Sequence, residues 1–240
     1  MKFSPDQIRE LSAQFEGQHP RQILQWAADQ FMPRLAISTA FGPEGLVILD
    51  IAMRKVTPRI PVFTIDTGFL FPETQELITK IEKEYGITVE RLYPDLTPEQ
   101  QAAQYGPELY RREPDKCCHL RKVVPLQKKL PQLDAMITGL RRTQSATRAN
   151  AAVLQLQQTP DGYRYLKINP LVGWSKEEVW WYIVSHQLHY NPLHDRGYAS
   201  IGCMPDCCTR PVQPGEDERA GRWAGTDKKE CGLHTFAANI

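Results

Sequence analysis

Leu35-Ala36-Ile37-Ser38-Thr39-Ala40-Phe41-Gly42-Pro43-Glu44-Gly45 is the stretch whose reading decides the fold. The apolar run Leu35–Thr39 reads as a buried strand. A turn holding small residues follows, and an apolar helix runs from Leu46 to about Met53. Strand, glycine-containing turn and helix form the opening unit of a parallel α/β sheet. In such sheets ligands bind outside the carboxyl ends of the strands, where a helix N-terminus offers free N–H groups to an anion. Ser38 to Gly45 can do this, and can equally be a plain strand–helix turn. The segment is neither a Gly-x-Gly-x-x-Gly dinucleotide turn nor a Walker loop.

The same unit recurs downstream. Pro61–Ile65 reads as a second strand, ending in Asp66-Thr67-Gly68, with a helix from about Pro72. Residues 87–93 and 135–138 give further strands, and 153–157 with 163–168 flank the turn Thr159-Pro160-Asp161-Gly162 as a hairpin. Residues 5–30 and 97–130 read as mostly helical, and Ser175-Lys176-Glu177-Glu178 as a capping box that starts a helix through about His186. Beyond Asn191 the chain is rich in Gly, Pro and charge. The expectation is therefore an α/β chain with a mostly parallel central sheet flanked by helices, plus an irregular, mobile C-terminal tail. We divide it into an α/β domain over 1–202 and a C-terminal segment over 203–240.

Bulk properties exclude several classes. The chain has 240 residues, a net charge of +1, 41% hydrophobic and 24% charged residues. Nothing in that balance recruits nucleic acid or an anionic membrane, and no apolar run approaches the roughly 20 residues of a bilayer span. The opening Met1-Lys2-Phe3-Ser4-Pro5-Asp6 lacks the apolar stretch of a signal peptide. A cytoplasmic protein is expected, with no nucleic-acid or membrane partner and with self-association as a homo-oligomer.

Charge and cysteine are unevenly placed. Residues 111–130 carry seven Lys and Arg against two acids, and 141–148 add Arg141, Arg142 and Arg148 with no acid. Arginine pairs suit bidentate capture of phosphate or sulfate, although most such runs are solvated helix faces. The six cysteines are Cys117, Cys118, Cys203, Cys207, Cys208 and Cys231. In a reducing compartment clustered cysteines favour metal binding or catalysis. Thiolates from two separated segments fit a Cys₄ iron–sulfur cluster, or less neatly a zinc site. Cys231 stands apart, with Lys228, Lys229 and His234 close in sequence. Cationic neighbours lower a thiol's pKa and produce the thiolate, the attacking species.

Several of these stretches together resemble a known family. They are Ser38–Gly42, Asp66–Thr74, Cys117-Cys118-His119-Leu120-Arg121-Lys122, Gly139–Ser145, Asn169-Pro170-Leu171, Gly197–Cys203, Arg219–Trp223 and Glu230-Cys231-Gly232-Leu233-His234. In this order they resemble the assimilatory adenylylsulfate and phosphoadenylylsulfate reductases, and more closely the cluster-bearing adenylylsulfate branch. The resemblance implies an adenine nucleotide α-hydrolase-like fold. It implies that Cys231 attacks the sulfur of adenylylsulfate and that thioredoxin or glutaredoxin reduces the resulting S-sulfocysteine. It further implies that Lys122, Arg148, Arg219 and Arg222 contact the phosphosulfate, that Ser38, Gly42 and the Asp66 turn hold the nucleotide, and that His234 belongs to the substrate site. A [4Fe–4S] cluster would sit on Cys117, Cys118, Cys203 and one further cysteine.

This chain departs from the family at that last ligand. The family's Cys-x-Pro-Cys-Thr-Arg run is here Cys203-Met204-Pro205-Asp206-Cys207-Cys208-Thr209-Arg210, two residues longer. Alignment on Thr209-Arg210-Pro211-Val212 makes Cys208 the fourth ligand; counting from Cys203 favours Cys207. Three other readings compete with adenylylsulfate reduction. One is phosphoadenylylsulfate reduction. Another is an adenylating tRNA thiolase, whose Ser-Gly-Gly-x-Asp-Ser loop is missing at Ser38–Gly45. The third is a zinc-stabilised binding module without activity.

Overall fold

A computed structural model describes residues 2–206, 208–228 and 230–239. The chain opens with helices α1 (Pro5–Phe15) and α2 (Pro20–Phe31), then alternates β1 (Leu35–Ser38), α3 (Pro43–Lys55), β2 (Val62–Ile65), α4 (Pro72–Tyr85) and β3 (Val89–Leu92). A broken helical stretch follows: α5 (Pro98–Tyr105), α6 (Leu109–Arg112), α7 (Pro114–Cys118), a π-helical turn over His119–Val123, and α8 (Val124–Lys129). Then come β4 (Ala135–Thr138), the hairpin β5 (Leu154–Gln158) and β6 (Arg164–Ile168), α9 (Lys176–Ser185) and a short β7 (Ala238–Asn239). Six of these helices begin on proline, whose fixed φ and missing N–H suit a first helical position. Ser4, Thr97 and Ser175 close reciprocal capping boxes with the residue three positions on.

The strands form one sheet in the order β3-β2-β1-β4-β6-β5-β7. β1, β2, β3, β4 and β6 run parallel, while β5 is antiparallel to β6 and to β7. Alternation along each strand divides the core. Leu35, Ile37, Ile137, Leu166 and Ile168 face a large core shared with α1 to α4 and α9. Ala36, Met136 and Tyr165 face a smaller one that holds Leu126 of α8 and Leu233, Phe236 and Ala237 of the C-terminal segment. The expected fold class is therefore the observed one. The segment after Asn191 is irregular over most of its length, as expected, yet its end packs on the sheet and adds β7, which its composition does not announce. Among the described residues no helix is long and apolar enough to cross a membrane.

Strand order fixes where a ligand fits. The chain builds outward from β1 to β3 and then returns to the other side of β1 as β4. This reversal is the topological switch point at which open α/β sheets bind ligands.

Candidate active site

A cavity of about 240 Å³ opens there, walled by the turns after β1, β2 and β4 and closed by the C-terminal segment. Ser38 and Gly42 line it. Between them Thr39 Oγ1 accepts a hydrogen bond from the Phe41 N–H (2.9 Å), and buried Phe41 has φ of +57°. A bulky residue in the left-handed region is a strained one, the kind that clusters at functional turns. A side chain on Gly45 would collide with Thr39, so glycine there lets α3 start tight against β1.

Asp66 is turned into its own loop. It accepts from the Gly68 N–H (3.0 Å) and from Gln75 Nε2 (2.8 Å), and the neighbour that faces the cavity is Thr67.

The basic stretch divides in two. Arg111, Lys116, Lys128 and Lys129 pair with Asp206, Glu113, Asp95 and Glu90 at the surface. Arg121 and Lys122 turn inward on the π-helical turn. Pro125 lacks the N–H that an α-helix would donate to the Arg121 carbonyl, which suits the wider turn at this point. Arg121 binds the Thr67 and Leu96 carbonyls and Gln101, so it braces the loop. Lys122 lines the cavity; burial disfavours its charge, but Cys203, Cys118 and Cys231 together hold its pKa above the ordinary lysine value. Arg141 is bridged by Glu44 (2.7 Å) and Glu218 (3.2 Å), and Arg142 by Glu16 (2.7 Å).

Cys118, Cys203 and Cys208 share a buried cluster with Trp223, and Cys117 lines the same small space. An antiparallel bridge ties Cys203 to Leu70 in the loop after β2, the same loop that Arg121 holds from the first cysteine segment. Thr67 Oγ1 lies 3.4 Å from the Cys203 sulfur, and Gln101 Nε2 donates to Cys117 at 3.7 Å. Burial pushes the Cys117 thiol up to about 11 and raises that of Cys118. Cys207 lies outside the described residues. An all-sulfur, buried set with donors aimed at the sulfurs fits an iron–sulfur group. Among the described residues no three His, Cys, Asp or Glu side chains converge on a single ion. One zinc needs four thiolates at about 2.3 Å from a common point, whereas a four-iron cluster takes one thiolate per iron and so spreads them.

Cys231 reaches the cavity from the C-terminal segment. Burial alone would raise its thiol, but Lys122, the Leu233 N–H and Arg222 outweigh it and the pKa is lowered. The principal cation, Lys122, thus comes from a distant segment and Arg222 from the same one as Cys231. Lys228 pairs with Asp115, Lys229 lies outside the described residues, and His234 is held neutral by burial and by Lys167, Arg148 and Arg219.

Arg219 and Arg222 stand over the Trp223 ring with guanidinium carbons 5.8 and 4.6 Å from its centre, and Lys122 and Lys228 flank it at 5.9 and 5.3 Å. The ring's negative face thereby gathers four cations between the cysteine cluster and the cavity. A side chain on Gly202 would run into Arg222, so the glycine makes room for the guanidinium.

Glu230, beside Cys231, was not a sequence candidate. Its carboxylate accepts two hydrogen bonds from Arg148 (2.9 and 2.7 Å), one from Arg219 (3.4 Å), and others from Ser145 and Thr147 (3.1 and 3.0 Å). With Nη1 on Gln144, Arg148 has all three nitrogens engaged while the tail is docked. The sequence signal for Glu230 is its place beside Cys231, inside the Glu230–His234 stretch that carries the family resemblance.

A profile of the phosphoadenosine phosphosulfate reductase domain matches residues 34–211. The chain is 46% identical to an adenosine 5′-phosphosulfate reductase of Halalkalibacterium halodurans, covering 95% of this chain and 96% of that protein. It is 43% identical to a phosphoadenosine 5′-phosphosulfate reductase of Gloeobacter violaceus, covering 95% and 93%. Its fold is similar to the phosphate complex of phosphoadenylyl-sulfate reductase from Candida auris, with a TM-score of 0.73 at 32% identity over 85% of this chain and 97% of that one. Fold, switch-point cavity and relatives agree: this chain belongs to the phosphoadenosine phosphosulfate reductase family.

Proposed function

We propose that this protein reduces adenylylsulfate to sulfite and AMP in the cytoplasm, with Cys231 as nucleophile. The observation that carries the reading is a tail cysteine with a lowered pKa, presented to the switch-point cavity beside Lys122 and Arg222. The Cys231 thiolate attacks the sulfur of the sulfate, the bond from that sulfur to the bridging oxygen breaks, and AMP leaves with the electron pair. Lys122, Arg219 and Arg222, with Arg148 when Glu230 releases it, stabilise the charge that gathers on those oxygens. Ser38, Gly42, the Asp66 turn and His234 shape the rest of the substrate site. A thiolate of thioredoxin or glutaredoxin then attacks the Cys231 sulfur and releases sulfite. Its second thiol resolves the mixed disulfide, so the dithiol supplies two electrons and Cys231 returns as a thiol. The tail must undock for that second step.

Cys117, Cys118, Cys203 and Cys208, or Cys207 in place of Cys208, would hold a [4Fe–4S] cluster. Bound, it would supply a fixed anionic centre beside Lys122. Arg141 is already bridged by Glu44 and Glu218 on the cavity wall, which supports the substrate without a second phosphate. Turnover of anaerobically purified protein with adenylylsulfate against phosphoadenylylsulfate, using thioredoxin, tests the reading. Sulfite from the first at the higher kcat/KM is expected, and sulfite from neither sinks the function. We further propose a homo-oligomer, which light scattering on the eluting protein would check.

A further inference from the structure

A second cavity, of about 120 Å³, shares Arg148 and His234 with the first but reaches a different part of the sheet. Lys167 lines it. This lysine sits inside β6, between Met136 of β4 and Gln155 of β5, and is 3% exposed. Its neighbours Leu166 and Ile168 face the large core, so strand alternation turns Lys167 to the opposite face, where the tail lies. Burial lowers its pKa to about 8, with Arg148 adding to the effect and Glu230 opposing it. A buried ammonium is costly unless an anion meets it. Glu230, the acid on this cavity, is already engaged by Arg148, Arg219 and two hydroxyls. Thr147, Asn150 and Thr235 add hydrogen-bonding groups to the wall, and the His234 Nδ1 is buried with no hydrogen-bond partner. The volume far exceeds the roughly 10–15 Å³ that admits a water. Positive charge, donors and room are present together.

We propose that this cavity is a second anion site, which takes a small oxyanion of the sulfite, sulfate or phosphate class on Lys167. Because His234 and Thr235 belong to the tail and Lys167 to the sheet, the bound anion ties one to the other and holds Cys231 in place. The site goes beyond the reaction assigned to the front cavity and does not depend on it.

Calorimetric titration of the full-length, anaerobically purified protein with sodium sulfite, sulfate and phosphate, against chloride at equal ionic strength, tests the proposal. Saturating AMP and the R222Q variant suppress anion binding in the front cavity. The expected result is a remaining oxyanion site whose affinity drops at least tenfold in both K167M and K167Q. In wild type the same anions should slow maleimide labelling of Cys231, and in the two variants they should not. Preference for sulfite would identify the product as ligand, and equal binding of all three a general oxyanion site; both support it. Unchanged binding in K167M and K167Q, or no wild-type binding beyond the AMP-blocked cavity, overturns it. Neither readout needs turnover, so failure of adenylylsulfate reduction would be seen separately.

Discussion

Cys117 and Cys231 carry the same side chain and meet opposite surroundings. Cys117 is buried among Phe69, Tyr110 and other thiols, and burial dominates, so its thiol gives up the proton only to a centre such as the iron of the proposed cluster. Cys231 is also covered, but Lys122, Arg222 and a backbone N–H overcome the cost of burial. Desolvation alone makes a thiol inert; desolvation beside a fixed cation makes a nucleophile. Ligand and nucleophile thus differ by what faces the sulfur, and Lys122 touches both environments.

The harshest way to break this comparison is C231S. It should lower sulfite production by about 10⁴-fold or more, as loss of a covalent nucleophile does, while the iron colour stays. A colourless C231S protein would make Cys231 a ligand and erase the distinction. Next comes K122M. Removing one charge aimed at a developing anion costs on the order of 10² to 10³ in kcat, and Cys231 should also alkylate more slowly at neutral pH because its thiol loses the principal cation. Unchanged alkylation would mean that Lys122 does not set the thiol's character. The E230A variant probes the clamp instead of the charge. Breaking a buried pair costs about 3 kcal/mol or more, so maleimide labelling of Cys231 should speed up by on the order of a hundredfold; an unaltered rate would show that Glu230 does not hold the tail. The smallest effect is expected at the second anion site. Lys167 is protonated below about pH 8, so affinity for sulfate, whose own charge does not change in this range, should be level below that value and fall above it as the lysine charge is lost. An affinity flat through pH 9 would mean that Lys167 is not the cation involved. Iron content of C207S against C208S completes the ligand side, with the larger loss expected for C208S.

Much of the fold was legible because its signals are local. Leu35–Gly45 carries strand and turn within eleven residues, the helix expected from Leu46 starts a turn earlier on Pro43, and the Ser175 capping box starts its helix at Lys176. The candidate site was legible only where residues sit in runs, as with Cys117-Cys118 or Arg219 and Arg222. What escaped depends on pairings across the chain. Glu230 gains its role from Arg148, 82 residues away, and Lys167 from a tail that composition marks only as irregular. The basic stretch misled in part for the same reason, since Lys128 and Lys129 are neutralised by Asp95 and Glu90 from other elements.

The two-residue strand β7 gives the tail's proposed movement a side effect. While it is docked, β7 pairs with Gln157 and Gln158 of β5 at the end of the sheet. Each excursion of the tail toward a reductant would free those two residues for pairing with another chain. A partner strand of only two residues peels away and returns easily. Its brevity therefore keeps the edge that the cycle uncovers short.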